Sequence, residues 1–148
     1  MRQANWYPCR PANRCARTLP ITLTYDESIA GFRLELSTPV SVADVVEVYD
    51  QLVRDEHNLP NTPSLWDITR LDLGQIPVSD IRALPRALAG LANQRGDLYR
   101  AAVVTTRMRD YGLLRIYLSI LKLIGTNMRL RLFDNLAAAE NWIKEVSL

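Results

Sequence analysis

Apolar residues recur at every second position twice near the start of the chain. Ile21, Leu23 and Tyr25 alternate with Thr22 and Thr24, and Phe32, Leu34 and Leu36 alternate with Arg33 and Glu35. A period of two with one wet face predicts an antiparallel pair of strands. The polar segment 26–31 joins them, with Gly31 suited to a positive φ. Pro39 stops the second strand. Ser41 is placed to cap a helix, and Asp44 falls in its electropositive first turn. Val42, Val45, Val46, Tyr49, Leu52 and Val53 make one apolar face, which carries that helix to about Glu56.

From there strand and helix take turns. Residues 64–69 read as a third strand, followed by a loop with Gly74 and Pro77 and a helical pattern at Ile81, Leu84, Leu88 and Leu91. With Ser79 as its cap, Pro85 lies beyond the first turn, so a kink or a restart at the proline is expected. Residues 100–106 hold the unbroken apolar run Ala101, Ala102, Val103 and Val104, which suits a central strand covered on both faces. Leu130 and Leu132 alternate with Arg129 and Arg131, as in a charged sheet edge. Asp134 then caps a final helix whose inward residues are Leu136, Ala139, Trp142, Ile143 and Val146. The predicted class is α/β. The order is ββαβαβαβα, with a mixed, mostly parallel five-stranded sheet covered by helices.

The helix predicted over residues 111–124 departs from ordinary amphipathicity. Well inside it, only Arg115, Ser119 and Lys122 are polar, and they form a narrow stripe. The remaining apolar arc is roughly twice the ~100° that one packed face requires. Burying one side leaves Ile116 and Leu123 on one flank, and Leu118 and Tyr111 on the other. Either neighbouring helices cover these flanks, or they form a homodimer contact, a partner surface or an apolar ligand groove.

At 148 residues the chain is long enough for one domain with a real core. Its 48% hydrophobic and 23% charged content are those of a globular protein. The net charge of +2 hides an asymmetry, because Arg2, Arg10, Arg14 and Arg17 stand in an acid-free start and leave the remainder mildly acidic. That balance argues against a nucleic-acid surface. Residues 1–19 read as a disordered basic extension, and residues 20–148 as the domain. No apolar run is long enough for a signal peptide or membrane span. Cys9 and Cys15 both lie in the extension without a zinc-ligand pattern, so no metal is expected and the cytoplasm is the simplest compartment.

Catalytic chemistry is sparse. The sequence has no phosphate-binding glycine loop, no Cys–His pair and no metal-protease motif, and no cofactor is expected. The lone His57 sits in a polar stretch as a solvated or helix-capping residue. Asp67 is the exception, a carboxylate inside a predicted strand near the carboxyl edge of the sheet. Open parallel sheets bind ligands at such edges. Thr69, Ser79, Thr105, Thr106, Arg107 and Asp110 come from the same strand ends and following loops. A hydrogen-bonded structural role fits Asp67 better than a general base, since no nucleophile accompanies it.

Three segments together carry a resemblance. Arg100-Ala-Ala-Val-Val104, Asp110-Tyr-Gly-Leu-Leu-Arg115 and Leu132-Phe-Asp-Asn-Leu-Ala-Ala-Ala-Glu-Asn-Trp-Ile143 resemble the SpoIIAA-like bacterial proteins of the STAS-domain superfamily, also labelled STAS/SEC14-like. The resemblance spans roughly residues 20 to 146 and implies a STAS-like single domain. In regulatory members a serine at the start of the helix after the third strand is phosphorylated, and Ser79 matches that position. The family's Asp-Ser-Ser-Gly run is absent here, and Asp80 would repel a phosphate. The expectation is therefore a non-catalytic regulatory or protein-interaction module. The alternative is a domain binding a small apolar or lipid-like ligand between its helices.

Overall fold

The computed structural model describes residues 20–96, 98–123 and 128–145. The expectations for residues 1–19, both cysteines, Ile124 and Val146 fall outside these. The elements are β1 (Ile21–Asp26), β2 (Gly31–Ser37), α1 (Val42–Arg54), β3 (Ser64–Arg70), α2 (Val78–Ala92), β4 (Arg100–Val104), α3 (Met108–Leu123), β5 (Arg129–Phe133) and α4 (Leu136–Lys144). Short 3₁₀ turns occupy Leu73–Gln75 and Asn93–Arg95. The strands form one sheet in the order β1-β2-β3-β4-β5. Only β1 and β2 are antiparallel, and each later neighbour is parallel. The α/β class and the mixed sheet agree with the hydrophobic pattern.

Local chemistry explains most boundaries. In the hairpin, Leu23 faces Leu34 and Tyr25 faces Phe32, the last two rings meeting edge-on at 5.5 Å. The positive φ of the turn falls on Ala30 (49°), not on Gly31 as the composition of the turn suggested. Gly31 is needed for a different reason. A Cβ there would stand 2.6 Å from the Pro63 carbonyl oxygen, the same oxygen that accepts from Phe32 N at 3.0 Å. Ser41 caps α1 as expected. Its Oγ accepts from Asp44 N (3.1 Å), while its own N–H donates to Asp44 Oδ2 (2.9 Å), a reciprocal capping box. The helix stops at Arg54, short of Glu56, because Asp55 turns to an extended conformation.

Two caps differ from expectation. α2 starts directly after Pro77 with no side-chain cap, so Ser79 lies inside the first turn instead of capping it. Pro77 fixes the entry angle, and no polar side chain is required there. At α4 the cap is Asn135, not Asp134. Asn135 Oδ1 accepts from Ala138 N at 2.8 Å, whereas Asp134 Oδ1 accepts from the Asn135 amide. α2 also runs unbroken through Pro85. Ile81, Pro85, Leu88 and Ala92 share its buried face, so packing of the ring offsets the missing backbone hydrogen bond.

The strand order advances in one direction from β2 to β5. Successive right-handed crossovers therefore deposit α1, α2 and α3 on one face of the sheet. There Val45, Val48, Tyr49, Leu52 and Leu88 pack with Phe32, Leu34, Ile68 and Val103. α4 alone covers the other face, where Ala139 and Ile143 meet Leu65, Ala102 and Val104. The two layers approach the sheet differently. α4 sets its buried Ala139 and Ile143 on β3, β4 and β5. α2 and α3 pack on neighbouring helices and turns and add Leu84, Leu88, Leu113 and Leu114 to the apolar cluster on the sheet.

Candidate functional site

An apolar cavity of ≈ 130 Å³, partly open to solvent, lies between the sheet and the three-helix layer. Its floor is Leu36, Trp66, Ile68, Ala101, Val103 and Leu130, the inward residues of β2 to β5. Val45 and Tyr49 of α1, Ile81, Leu84 and Leu88 of α2, and Leu114, Tyr117 and Leu121 of α3 line it from above. The last three recur at helical spacing, so part of the broad apolar arc of α3 is spent on this lining. Of the flank residues, Tyr111, Ile116 and Leu118 are half-buried, while Leu123 is 84% exposed. Arg115, Ser119 and Lys122 lie on the solvent side, as their stripe implied.

Two of the lining residues meet through their hydroxyls. The Tyr49 and Tyr99 hydroxyls, both from lining residues, are 3.1 Å apart. Behind them sits Arg95, fully buried in the 3₁₀ turn after α2. Its Nη1 donates to the Tyr49 hydroxyl (3.3 Å), its Nε to Asn58 Oδ1 (3.2 Å), and its Nη2 to the Thr62 carbonyl. The guanidinium also lies 4.5 Å from the centre of the Tyr99 ring. Each of these partners is uncharged. Burial pushes the Tyr99 and Tyr117 hydroxyls well above the usual phenol range, so both are neutral donors at physiological pH. Pattern reading missed Arg95 and Tyr99. The only signal was an arginine between two apolar elements, which is no different from a surface residue.

The polar residues chosen from sequence fall into separate places. Asp67, half-buried on the face that α4 covers, accepts from Thr69 N (3.0 Å) and Thr69 Oγ1 (2.7 Å). Thr105, Arg107 and Asp110 meet at the end of β4 and the start of α3. Thr105 Oγ1 donates to Asp110 Oδ2 at 3.5 Å, Arg107 N donates to Thr105 Oγ1 at 3.4 Å, and the Arg107 guanidinium lies 3.9 Å from Asp110 Oδ2. Arg107 also donates to the Leu71 carbonyl, and nearby Arg109 pairs with Asp72 at 2.6 Å. Asp110 is fully buried and its Oδ1 has no hydrogen-bond partner among the described residues. Burial raises its carboxyl above the ordinary range, against the lowering pull of Arg107 and Arg109. Thr106 and Ser79 are exposed. His57 is exposed too, hydrogen-bonded to Asp55 Oδ1 at 2.8 Å and stacked on Tyr25.

The strand order lacks the reversal that opens a crevice at the carboxyl edge of doubly wound sheets. Among the described residues no group of His, Cys, Asp and Glu could hold a metal ion, and no helix is long and apolar enough to cross a membrane. Comparison with protein-family models, curated proteins and solved structures finds no match to this chain.

Proposed function

We propose that this is a non-catalytic binding module that holds a small apolar ligand between its sheet and the α1–α3 layer. The observation that carries the reading is the cavity itself. Native cores are close-packed, and voids larger than a water molecule are few. An apolar cavity of about 150 Å³ admits benzene, and the space here, partly open to solvent, is of similar size at ≈ 130 Å³. The resemblance to SpoIIAA-like proteins supports a regulatory role, in which occupancy of the cavity would be sensed by a partner through α3. The cytoplasm is the proposed compartment, given that residues 20–148 contain no cysteine.

Titrating the full-length protein with toluene and indole tests the reading. A ligand that binds only the folded state raises the melting temperature in proportion to the logarithm of its concentration. Saturable stabilisation, with chemical-shift changes confined to cavity residues, is expected. Absence of both up to the solubility limit of toluene and indole would remove the proposal. Organic extraction of the purified protein followed by mass spectrometry would identify a molecule carried from the cell.

A second reading rests on a different observation. Leu123 and Met108, at the two ends of α3, are 84% and 85% exposed. We propose a two-fold contact along this helix, with Ile116 and Leu123 on the shared flank.

A further inference from the structure

We propose that the outer edge of β1 receives an extended segment of a partner protein in which arginine or lysine alternates with apolar residues. This surface is separate from the cavity.

β1 has a neighbouring strand on one side only. The Pro20 carbonyl accepts from Ser37 N at 2.9 Å, so Pro20, Thr22 and Thr24 turn their backbone groups toward β2. The N–H and C=O groups of Ile21, Leu23 and Tyr25 therefore point away from the sheet. The same phase follows from β2, where Phe32, opposite Tyr25, donates its N–H to Pro63 on the β3 side. Edge strands are ordinarily blunted by charge, proline, a bulge or a covering segment. β5, at the opposite edge, carries the exposed Arg129 and Arg131. β1 pairs with β2 in unbroken register and has neither charge nor proline from Ile21 to Tyr25.

Charge identifies the incoming chain. Residues 20–58, which build β1, β2 and α1, contain eight acids and two arginines, a net charge of −6 with His57 neutral. Residues 59–148 contain eight acids and twelve lysines or arginines, a net charge of +4. Strand order follows chain order, so the acidic part stands at the β1 edge and the basic part toward β5. Pairing β1 with the β1 of a second copy would set two acidic parts together, whereas a basic strand has the complementary sign.

The two faces of an added strand meet different surroundings. On the α1 side, the half-buried Leu23 and Tyr25 pack on the core and offer apolar surface to a neighbour. On the other side α4 packs on β3, β4 and β5, and Thr22, Thr24 and Glu35 are exposed. Glu35 lies opposite Thr22 and makes no ion pair among the described residues. Arg33, the only cation of the hairpin, is already held by Asp26 (2.8 Å) and Glu140 (2.7 Å). A strand added at the usual spacing stands roughly 10 Å from β2, and an arginine beside Thr22 reaches Glu35 across that short side chain.

The test adds the end-blocked peptide Lys-Val-Arg-Val-Lys-Val-Arg, or its counterpart with glutamate at every charged position, to the full-length protein. Chemical-shift titration and amide exchange are the readouts. The basic peptide should bind at least about tenfold more tightly, and raising salt from about 0.05 to about 0.5 M should weaken it several-fold. It should slow exchange at Ile21, Leu23 and Tyr25 but not at Thr22 and Thr24, whose N–H groups already serve β2. Glu35→Lys, an exposed change, should cut the preference by about threefold or more. Leu23→Pro deletes an outward N–H and should abolish binding; Glu35→Lys keeps the test independent of whether that variant folds. Binding of neither peptide, or equal binding of both, would overturn the proposal. Binding that leaves the three outward amides unprotected would overturn strand addition. Slow exchange at those amides before any peptide is added would mean that a second copy or another part of the chain already holds the edge, and would overturn the partner assignment.

Discussion

Ala101→Val is the substitution that examines the cavity most directly. Ala101 is buried in β4 between Ser64 of β3 and Leu130 of β5, and all three line the cavity floor. The floor of a cavity of ≈ 130 Å³ leaves room above Ala101 for added methyl groups. Valine adds two methyl-sized groups, each contributing about 0.8 kcal/mol when buried. Restricting its side chain costs about 0.5 kcal/mol, and a β-branched residue suits a central strand. The net expectation is a gain of about 1 kcal/mol, read from urea denaturation, with a rise in melting temperature of about 3 °C. The same methyl groups occupy ligand space, so toluene affinity should fall at least about tenfold. A loss of about 1–3 kcal/mol would be the signature of overpacking. That result would mean that the space above Ala101 is not there, and the functional proposal would fall with it.

Three further predictions test other parts of the structure. Ser41→Ala breaks the capping box of α1 and should cost about 1 kcal/mol in chemical denaturation; no loss would mean that Asp44 alone sustains the cap. Asp110 has a folded-state carboxyl raised above its ordinary value by burial, so the folded protein binds that proton more tightly than the unfolded chain. Its contribution to stability is therefore lost as pH rises from the ordinary aspartate range through the raised value, and Asp110→Asn should flatten stability against pH in that window and stabilise the protein at pH 7. A variant with the same slope as wild type would dismiss the assignment. Ile116→Glu with Leu123→Glu should convert a dimer to a folded monomer in light scattering. A monomeric wild type at high concentration would reject the α3 contact, and an unfolded variant would place Ile116 in the core.

Features that depend on near neighbours in the chain were legible from sequence. Alternation in residues 21–25 and 32–36 specifies which side chains share a face, and a one-residue slip would turn every apolar group to water. The Ser41–Asp44 box acts across three residues, and the apolar run in β4 requires cover on both faces wherever it is placed. Where several residues could do the same local job, the surroundings chose among them. Asn135 caps α4 in place of Asp134, and Pro77 starts α2 with no help from Ser79. The role of Gly31 is likewise invisible in its own turn, since the obstacle is Pro63, thirty-two residues onward.

The candidate site belongs wholly to this second kind. Tyr49, Arg95 and Tyr99 come from α1, a 3₁₀ turn and the entry to β4, and no spacing rule joins them. The cavity lies on the face covered by α1, α2 and α3, while on the other Ala139 and Ile143 of α4 pack directly on Leu65, Ala102 and Val104. The sequence determined the buried face of most strands and helices, because hydrophobic periodicity is a property of neighbouring positions along one element, although Leu136, expected to face inward from α4, is exposed at the helix start. Only the tertiary structure decided what space those faces would enclose and which buried cation would stand beside it, because packing distances and burial of charge arise between elements that are remote in the chain.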